Sequence, residues 1–272
     1  MNGQMSLQVI KLLLHKMFDT HSHINSNEFN FDREIIIKDL IKNNIKSVVV
    51  GTNIKDSILA RDIVKKYSNF RFSSGVHPHE ADKVDLADVY INLEELVLDS
   101  NNVAIGECGF DFYYNEKKDL YKKQEDLFRI QIDIAQKYDK PLIIHTRESF
   151  QETYDILKEY ENLKVVYHCF SGNLDWFYKL NSLLHKNYFS FSGIITFKNN
   201  VEDIQNTVKG VPLDQILSET DSPYLSPVPF RGEKNTPLKV KYIVQKISDL
   251  KGISNEEIEK ILDNNASKVF NF

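Results

Sequence analysis

The chain has 272 residues, of which 42% are hydrophobic and 27% are charged, a composition typical of a globular protein with a large buried core. Its formal net charge is −5, from 34 basic and 39 acidic residues. Proteins that bind duplex nucleic acid along a basic surface usually have an excess of basic residues instead. The two cysteines, Cys108 and Cys169, exclude a disulfide framework and suit a reducing cytoplasm. No apolar run approaches the roughly 18 residues that span a bilayer. We therefore expect a cytoplasmic protein that does not enter a membrane.

The first sixteen residues differ in character from the rest of the chain. They contain one short apolar patch, residues 12–14, which is too short for the core of a signal peptide. Met17 would itself make a natural first residue. We interpret residues 1–16 as an N-terminal extension or a misplaced start, and we expect one domain over residues 17–272.

From residue 17 onward, apolar runs alternate with amphipathic helical patterns. The predicted strands are residues 17–20, 47–51, 70–76, 103–107, 141–145, 164–168, 187–192 and 215–219. The predicted helices are residues 32–43, 54–67, 87–99, 117–138, 149–160, 174–184 and 201–208, followed by 238–250, 255–263 and 265–270. Short strands that are apolar on both faces belong to parallel sheets covered by helices. Eight of them at intervals of roughly 25–30 residues predict a single α/β domain, a closed (β/α)8 TIM barrel.

Polar residues that are costly to bury collect at the carboxyl ends of these predicted strands. Six of the eight histidines and two carboxylates lie there: His21, His23, His77, His79, Glu107, His145, His168 and Asp221. In a barrel these ends open on one face, where barrel enzymes carry their catalytic residues. His21 and His23 are two positions apart on a strand, so their side chains face the same way. That pair alone is as consistent with surface histidines as with metal ligands, but the full set predicts a metal centre.

The motifs around these residues carry a resemblance to a known family. They are FDTHSH at residues 18–23, GVHPH at 75–79, IGECGFD at 105–111, PLIIHTR at 141–147, HCFSG at 168–172 and ETDSP at 219–223. With these motifs in this order, the chain resembles the TatD family of metal-dependent hydrolases, a branch of the amidohydrolase-like barrels that includes deoxyribonucleases. The segment RGEKNTP at 231–237 continues the resemblance, although Glu233 stands where the family more often has a basic residue.

The resemblance implies metal-binding roles for six of these residues. His21, His23 and Asp221 would hold one ion, His145 and His168 a second, and Glu107 would bridge the two. Taken singly, Glu107 could instead cap a turn and His145 could be a packed histidine. The donors suit zinc, manganese or iron better than calcium. Magnesium also supports nucleases of this family, so the identity of the two divalent ions (Mg, Mn or Zn) stays open.

The remaining polar residues suggest a substrate. We interpret His77, His79 and Arg147 as phosphate-binding residues, because the planar guanidinium of arginine matches two phosphate oxygens. An ion pair with a neighbouring carboxylate is the alternative for Arg147. The aromatic residues Phe110, Phe112, Tyr113 and Tyr114 are either a stacking platform for bases or a loop that packs over the rim.

Together these roles predict hydrolysis of a phosphodiester by a water molecule that two metal ions activate, with Asp221 as general base and Glu107 as the second catalytic residue. The favoured activity is that of a deoxyribonuclease, a 3′-5′ exonuclease on single-stranded DNA, since a single-stranded end needs few phosphate contacts. An ester or amide hydrolase such as a D-aminoacyl-tRNA deacylase could use the same barrel. A metal-stabilised scaffold without activity is a third hypothesis. Besides DNA, we predict no protein partner, and we expect a monomer.

Overall fold

The computed structural model describes residues 17–113 and 117–272, and of residues 117–119 the backbone alone. Eight parallel strands form one sheet in the order of the sequence. They are β1 (Met17–Ser22), β2 (Ile45–Val50), β3 (Phe70–Ser74), β4 (Asn102–Asp111), β5 (Leu142–Arg147), β6 (Lys164–Tyr167), β7 (Lys186–Phe191) and β8 (Ile216–Ser218). The predicted extension, residues 1–16, lies outside the described residues, so that prediction and the domain boundary at residue 17 stay predictions.

Helices follow the strands in alternation. Those in the described part of the chain are α1 (Arg33–Lys42), α2 (Ile54–Val64), α3 (Leu86–Val97), α4 (Lys117–Lys137), α5 (Phe150–Leu157), α6 (Leu174–Asn181), α7 (Glu202–Gly210), α8 (Val240–Lys251) and α9 (Asn255–Phe270). Short 3-10 helices lie at Asn27–Phe29, Pro78–Glu80, Gly193–Thr196 and Pro237–Lys239. None of the helices in this part of the chain combines the length and the apolar character needed to cross a bilayer.

The sheet closes on itself between β1 and the segment that comes after β8. His23 donates its backbone N–H to the Ser222 carbonyl (2.8 Å), and Asp221 donates to the His21 carbonyl (3.0 Å). Deeper in the barrel, the buried Asp19 carboxylate accepts the backbone N–H of Thr220 (2.8 Å) and its hydroxyl (2.6 Å). The strand order and this closure confirm the predicted (β/α)8 TIM barrel.

Most observed boundaries lie within three residues of the sequence prediction, and two differences matter more. The strand predicted at residues 103–107 continues to Asp111, so its polar end is part of β4. The break predicted near residue 264 is absent, because α9 is continuous. Asn265 is a weak helix former, but its buried side chain donates to the carbonyls of Leu213 (2.7 Å) and Ile216 (2.9 Å). Those tertiary hydrogen bonds outweigh its low helix propensity.

The core has two layers that reflect the alternation of side chains along each strand. Val49 points outward into the large cluster between the sheet and the helices, whereas Val48 and Val50 point into the barrel. They belong to the same buried apolar cluster as Ile143 of β5 and Phe270 at the end of α9. The interior is therefore filled with side chains, and polar residues gather above it at the carboxyl ends of the strands.

Gly75 and Gly106 allow β3 and β4 to approach each other directly beneath the polar end of the barrel. A Cβ atom on Gly75 would lie 2.6 Å from the backbone nitrogen of Glu107 and closer still to the backbone of Gly106. Real side chains do not tolerate such contacts, so the absence of a side chain at Gly75 helps to place Glu107.

We expect the substitution Gly75→Ala to lower the free energy of unfolding by about 1–3 kcal/mol, because the added methyl group overpacks a backbone contact. It should also weaken metal binding, since Glu107 must move. Denaturant unfolding and a metal titration measure the two effects. Gly252→Ala is the control: Gly252 has φ +66° and no atom within 4 Å of an added Cβ, so this variant should lose stability only. Unaltered metal affinity in Gly75→Ala would show that Gly75 does not help to place Glu107.

Candidate metal centre

The barrel brings all six predicted metal ligands together. His21 and His23 come from the end of β1, Glu107 from β4, His145 from β5, and His168 and Asp221 come after β6 and β8. Five of them line a cleft of about 680 Å³ that opens at the carboxyl ends of the strands: His23, Glu107, His145, His168 and Asp221. His21 lies beneath them and is fully buried.

One group of donor atoms forms around His21 and His23. The Nε2 atoms of these two imidazoles are 3.1 Å apart. Asp221 Oδ1 lies 3.7 Å from His21 Nε2 and 3.4 Å from His23 Nε2. Glu107 Oε2 lies 3.4 and 3.6 Å from the same two nitrogens. These four atoms converge on one point.

A second group forms around the other oxygen of Glu107. Its Oε1 atom lies 2.9 Å from His145 Nδ1 and 3.0 Å from His168 Nε2, and these two nitrogens are 3.2 Å apart. The two oxygens of one carboxylate thus face two different sets of donors. Glu107 stands between two candidate cation sites.

The distances in both groups suit metal binding. Bonds from zinc to nitrogen or oxygen are about 2.0–2.2 Å long, so neighbouring ligand atoms are separated by about 3.3–3.6 Å in tetrahedral and about 2.8–3.1 Å in octahedral geometry. The observed separations of 2.9 to 3.7 Å fall in or close to these ranges. His21–His23–Asp221 and Glu107–His145–His168 are both arranged as metal-holding clusters. The residues present therefore fit divalent cations.

Neighbouring groups orient three of the imidazoles. His168 Nδ1 lies 3.2 Å from Glu219 Oε1, and His145 Nε2 lies 2.9 Å from Asp111 Oδ2. His23 Nδ1 lies 3.3 Å from a backbone carbonyl of β2. A proton on each of these nitrogens leaves the lone pair of the other nitrogen facing the centre, as metal-binding histidines require.

The centre carries an excess of negative charge. Four carboxylates surround the imidazoles: Glu107, Asp111, Glu219 and Asp221. Burial alone would raise the pKa of Glu107, but the neighbouring imidazoles, His168 first, hold it well below its usual range. Burial alone would lower the pKa of His168, but Glu107 and Glu219 raise it well above its usual range. Protons on the imidazoles or bound cations must balance these buried carboxylates.

The two predicted phosphate-binding histidines lie beside the centre and differ in environment. His77 Nε2 lies 3.4 Å from Glu107 Oε1. Burial, assisted by His145, lowers the pKa of His77 to about 4. It is therefore neutral at physiological pH. His79 lies nearer the rim, with Nε2 3.1 Å from Asp111 Oδ2.

Arg147 is the last residue of β5 and lines the same cleft. Its guanidinium carbon lies 3.6 Å from the centre of the Tyr113 ring, a stacked cation–π contact. Phe110 and Phe112 are buried, so this part of the aromatic segment packs in the protein, and Tyr113 is half-exposed. Tyr114 lies outside the described residues.

Sequence reasoning gave Asp111 no site role, although its carboxylate contacts both His79 and His145. The sequence holds only a weak signal for it: residues 107, 109 and 111 would lie on one face of a strand that continued to 111. The apolar pattern predicts a strand that ends at 107, and the alternation beyond that point is carried by too few residues to extend it to Asp111.

Comparisons with known proteins agree with this geometry. Residues 18–271 match the family model "TatD related DNase". A protein of Mycoplasma pneumoniae named as an uncharacterized metal-dependent hydrolase is 36% identical over 260 residues, which cover 93% of this chain and 98% of that one. YabD of Bacillus subtilis, which has the same description, is 35% identical with the same coverage.

A crystal structure shares the fold. YjjV, a TatD homologue from Escherichia coli, superposes with a TM-score of 0.86 at 24% identity and covers 95% of this chain and 99% of its own. The family model and the two relatives extend over nearly the whole of the barrel. The chain therefore belongs to the TatD related DNase family and is a metal-dependent hydrolase.

Proposed function

We propose that this hydrolase is a deoxyribonuclease that removes nucleotides from the 3′ end of single-stranded DNA with two divalent metal ions. The observation that carries the proposal is the pair of candidate cation sites joined by Glu107. Two cations about 3.5–4 Å apart are a recurrent arrangement for phosphodiester hydrolysis, because they act on the attacking and the leaving oxygen. Family membership supports the same chemistry.

The charges around the cleft favour a single strand over a duplex. Arg147 at the rim offers a planar cation for one phosphate group, and His79 offers a further ring nitrogen close by. The net charge of −5 disfavours long contacts with the phosphates of a DNA duplex. A strand end that enters the cleft needs only these few contacts. We propose a cytoplasmic location, because two cysteines without a disulfide framework suit a reducing compartment.

In the proposed mechanism, His21, His23 and Asp221 would hold one ion, His145 and His168 would hold the other, and Glu107 would contribute to both sites. When bound, the ions would polarise the phosphoryl oxygens and lower the pKa of the attacking water. Arg147 and His79 then hold the phosphate groups of the strand in place.

Asp221 is the proposed general base. Burial alone would raise the pKa of Asp221, but the His23 imidazole and its neighbours lower it, so the carboxylate is ionised at neutral pH. It accepts the proton of water as the new O–P bond forms, and the bond from phosphorus to O3′ of the preceding nucleotide breaks, with O3′ taking up a proton from solvent.

Glu107→Gln should reduce metal-dependent release of nucleotides from single-stranded DNA by at least about a hundredfold, since a weaker shared ligand disturbs both cation sites. The assay is release of the labelled 3′ nucleotide from an oligonucleotide with Mn²⁺ or Mg²⁺. Glu80→Gln is the matched control, because Glu80 lines the same cleft but pairs with the exposed Lys83 at 3.0 Å. Full activity in Glu107→Gln would rule out the proposed centre.

His145→Ala should lower the bound Mn²⁺ from two ions per chain to one, because it removes a donor from the second group only. Equilibrium dialysis with elemental analysis gives the stoichiometry without an activity assay. His185→Ala is the control: its Nε2 atom bonds the Leu157 carbonyl at 3.1 Å, away from the cleft. Two bound ions in His145→Ala, or one in the wild type, would contradict the proposed pair of sites.

Arg147→Gln should raise KM for single-stranded DNA by roughly 10–100-fold with a smaller change in kcat, because a charge-assisted hydrogen bond to phosphate is lost. Arg71→Gln is the control, since that guanidinium stacks on Phe272, away from the cleft. Steady-state kinetics separates the two parameters. An unaltered KM in Arg147→Gln would show that Arg147 does not bind the substrate.

Turnover of D-aminoacyl-tRNA in place of DNA would favour the alternative function, a D-aminoacyl-tRNA deacylase.

A further inference from the structure

A second, smaller cavity adjoins the metal centre. Its volume is about 190 Å³, against about 680 Å³ for the main cleft. His23, Thr52 and Tyr224 line both, so the two spaces share a wall. At about 30 Å³ for each water molecule in the liquid, this cavity has room for roughly six waters. That is space for a single sugar or base and not for a chain of nucleotides.

The lining of the second cavity differs in charge from that of the main cleft. Asn25, Ser26, Asn27 and Asp56 complete its walls, and no lysine or arginine of the described residues is among them. The main cleft, in contrast, has Arg147 on its wall. A phosphate group is therefore favoured on the Arg147 side and disfavoured beside Asp56.

The hydrogen bonds around Asp56 leave one of its carboxylate oxygens for a ligand. Thr52 Oγ1 (2.7 Å) and Asn53 Nδ2 (2.9 Å) both donate to Asp56 Oδ2 and not to Oδ1. Asn25 is 3% exposed, and its Nδ2 atom donates to the carbonyls of Val50 (3.1 Å) and Asp56 (3.2 Å). The remaining oxygen of Asp56, Oδ1, calls for a group that donates a hydrogen bond, as sugar hydroxyls and the N–H groups of bases do.

Tyr224 provides a flat surface at the shared wall. It is 59% exposed, and its ring centre lies 6.3 Å from that of His23. Its backbone N–H donates to the carbonyl of Asp221, three residues earlier, at 2.9 Å, which fixes its position relative to a proposed metal ligand. An exposed aromatic ring in this position can stack on a base or a sugar without selecting a particular base.

We propose that this cavity holds the sugar of the terminal nucleoside of the strand, and that Asp56 makes the enzyme select a free 3′-hydroxyl over a 3′-phosphate. The inference rests on the proposed deoxyribonuclease function. The phosphate to be cleaved lies at the metal centre, the terminal sugar lies in the cavity with its base stacked on Tyr224 at the shared wall, and the remaining strand leaves past Arg147. A 3′-phosphate would place a second anion beside the Asp56 carboxylate.

The test compares two oligonucleotides that differ only in a 3′-hydroxyl or a 3′-phosphate. The wild type should cleave the hydroxyl form with a kcat/KM at least about tenfold higher, because two like charges in close contact repel strongly in a partly desolvated site. Asp56→Asn should bring this ratio to within about threefold of one. Asp62→Asn is the matched control, because Asp62 lies on the same helix, exposed and paired with Arg61 at 3.1 Å, and should keep the wild-type ratio.

A binding measurement provides a readout that does not depend on turnover. Calorimetric titration of the Mn²⁺-loaded protein should show tighter binding of thymidine 5′-monophosphate than of thymidine 3′,5′-bisphosphate, and Asp56→Asn should remove that preference. Equal cleavage of both oligonucleotides by the wild type would overturn the inference and leave the deoxyribonuclease proposal intact. Cleavage of neither would overturn both.

Discussion

The carboxylate of Glu107 is the group on which the whole centre depends. It is almost fully buried, and its two oxygens contact separate pairs of imidazoles, His21 with His23 and His145 with His168. A buried anion is stable only with compensating partners. Strands β1, β5 and β6 must therefore end at the same height around β4. The parallel register of the barrel supplies this, because it brings the carboxyl ends of all eight strands to one face.

The same register also places the residues that orient the proposed metal ligands. Asp111 is four positions beyond Glu107 on β4 and holds the far nitrogen of His145, whereas Glu219 holds that of His168. Beneath them, Gly75 leaves room for the backbone of Gly106. Removal of any one of these contacts would reorient a ligand without touching the reacting atoms. The positions of the proposed ligands therefore depend on the packing of several strand ends against one another.

Much of the fold and the site could be predicted from the sequence. Runs such as residues 47–51 are apolar on both faces, and histidines or carboxylates directly after such runs are too costly to bury without a function. Features set by distant contacts were not predictable. Asn265 stays helical because of carbonyls 52 and 49 positions away. The small cavity beside Tyr224 exists only when several strands have met. The division of Glu107 between two groups was expected, but only from the resemblance to the family and not from the spacing of the residues.

The closure of the barrel has a consequence for the growing polypeptide. Asp19 and Thr220 join across 201 positions of sequence, and His21 and Asp221 meet at the same seam. A ribosome-bound chain therefore cannot complete the proposed set of metal ligands until its eighth strand has emerged. A prematurely terminated product would retain most of the histidines but lack the last carboxylate. The proposed metal centre, and with it the hydrolytic activity, can therefore form only when synthesis of the chain is nearly finished.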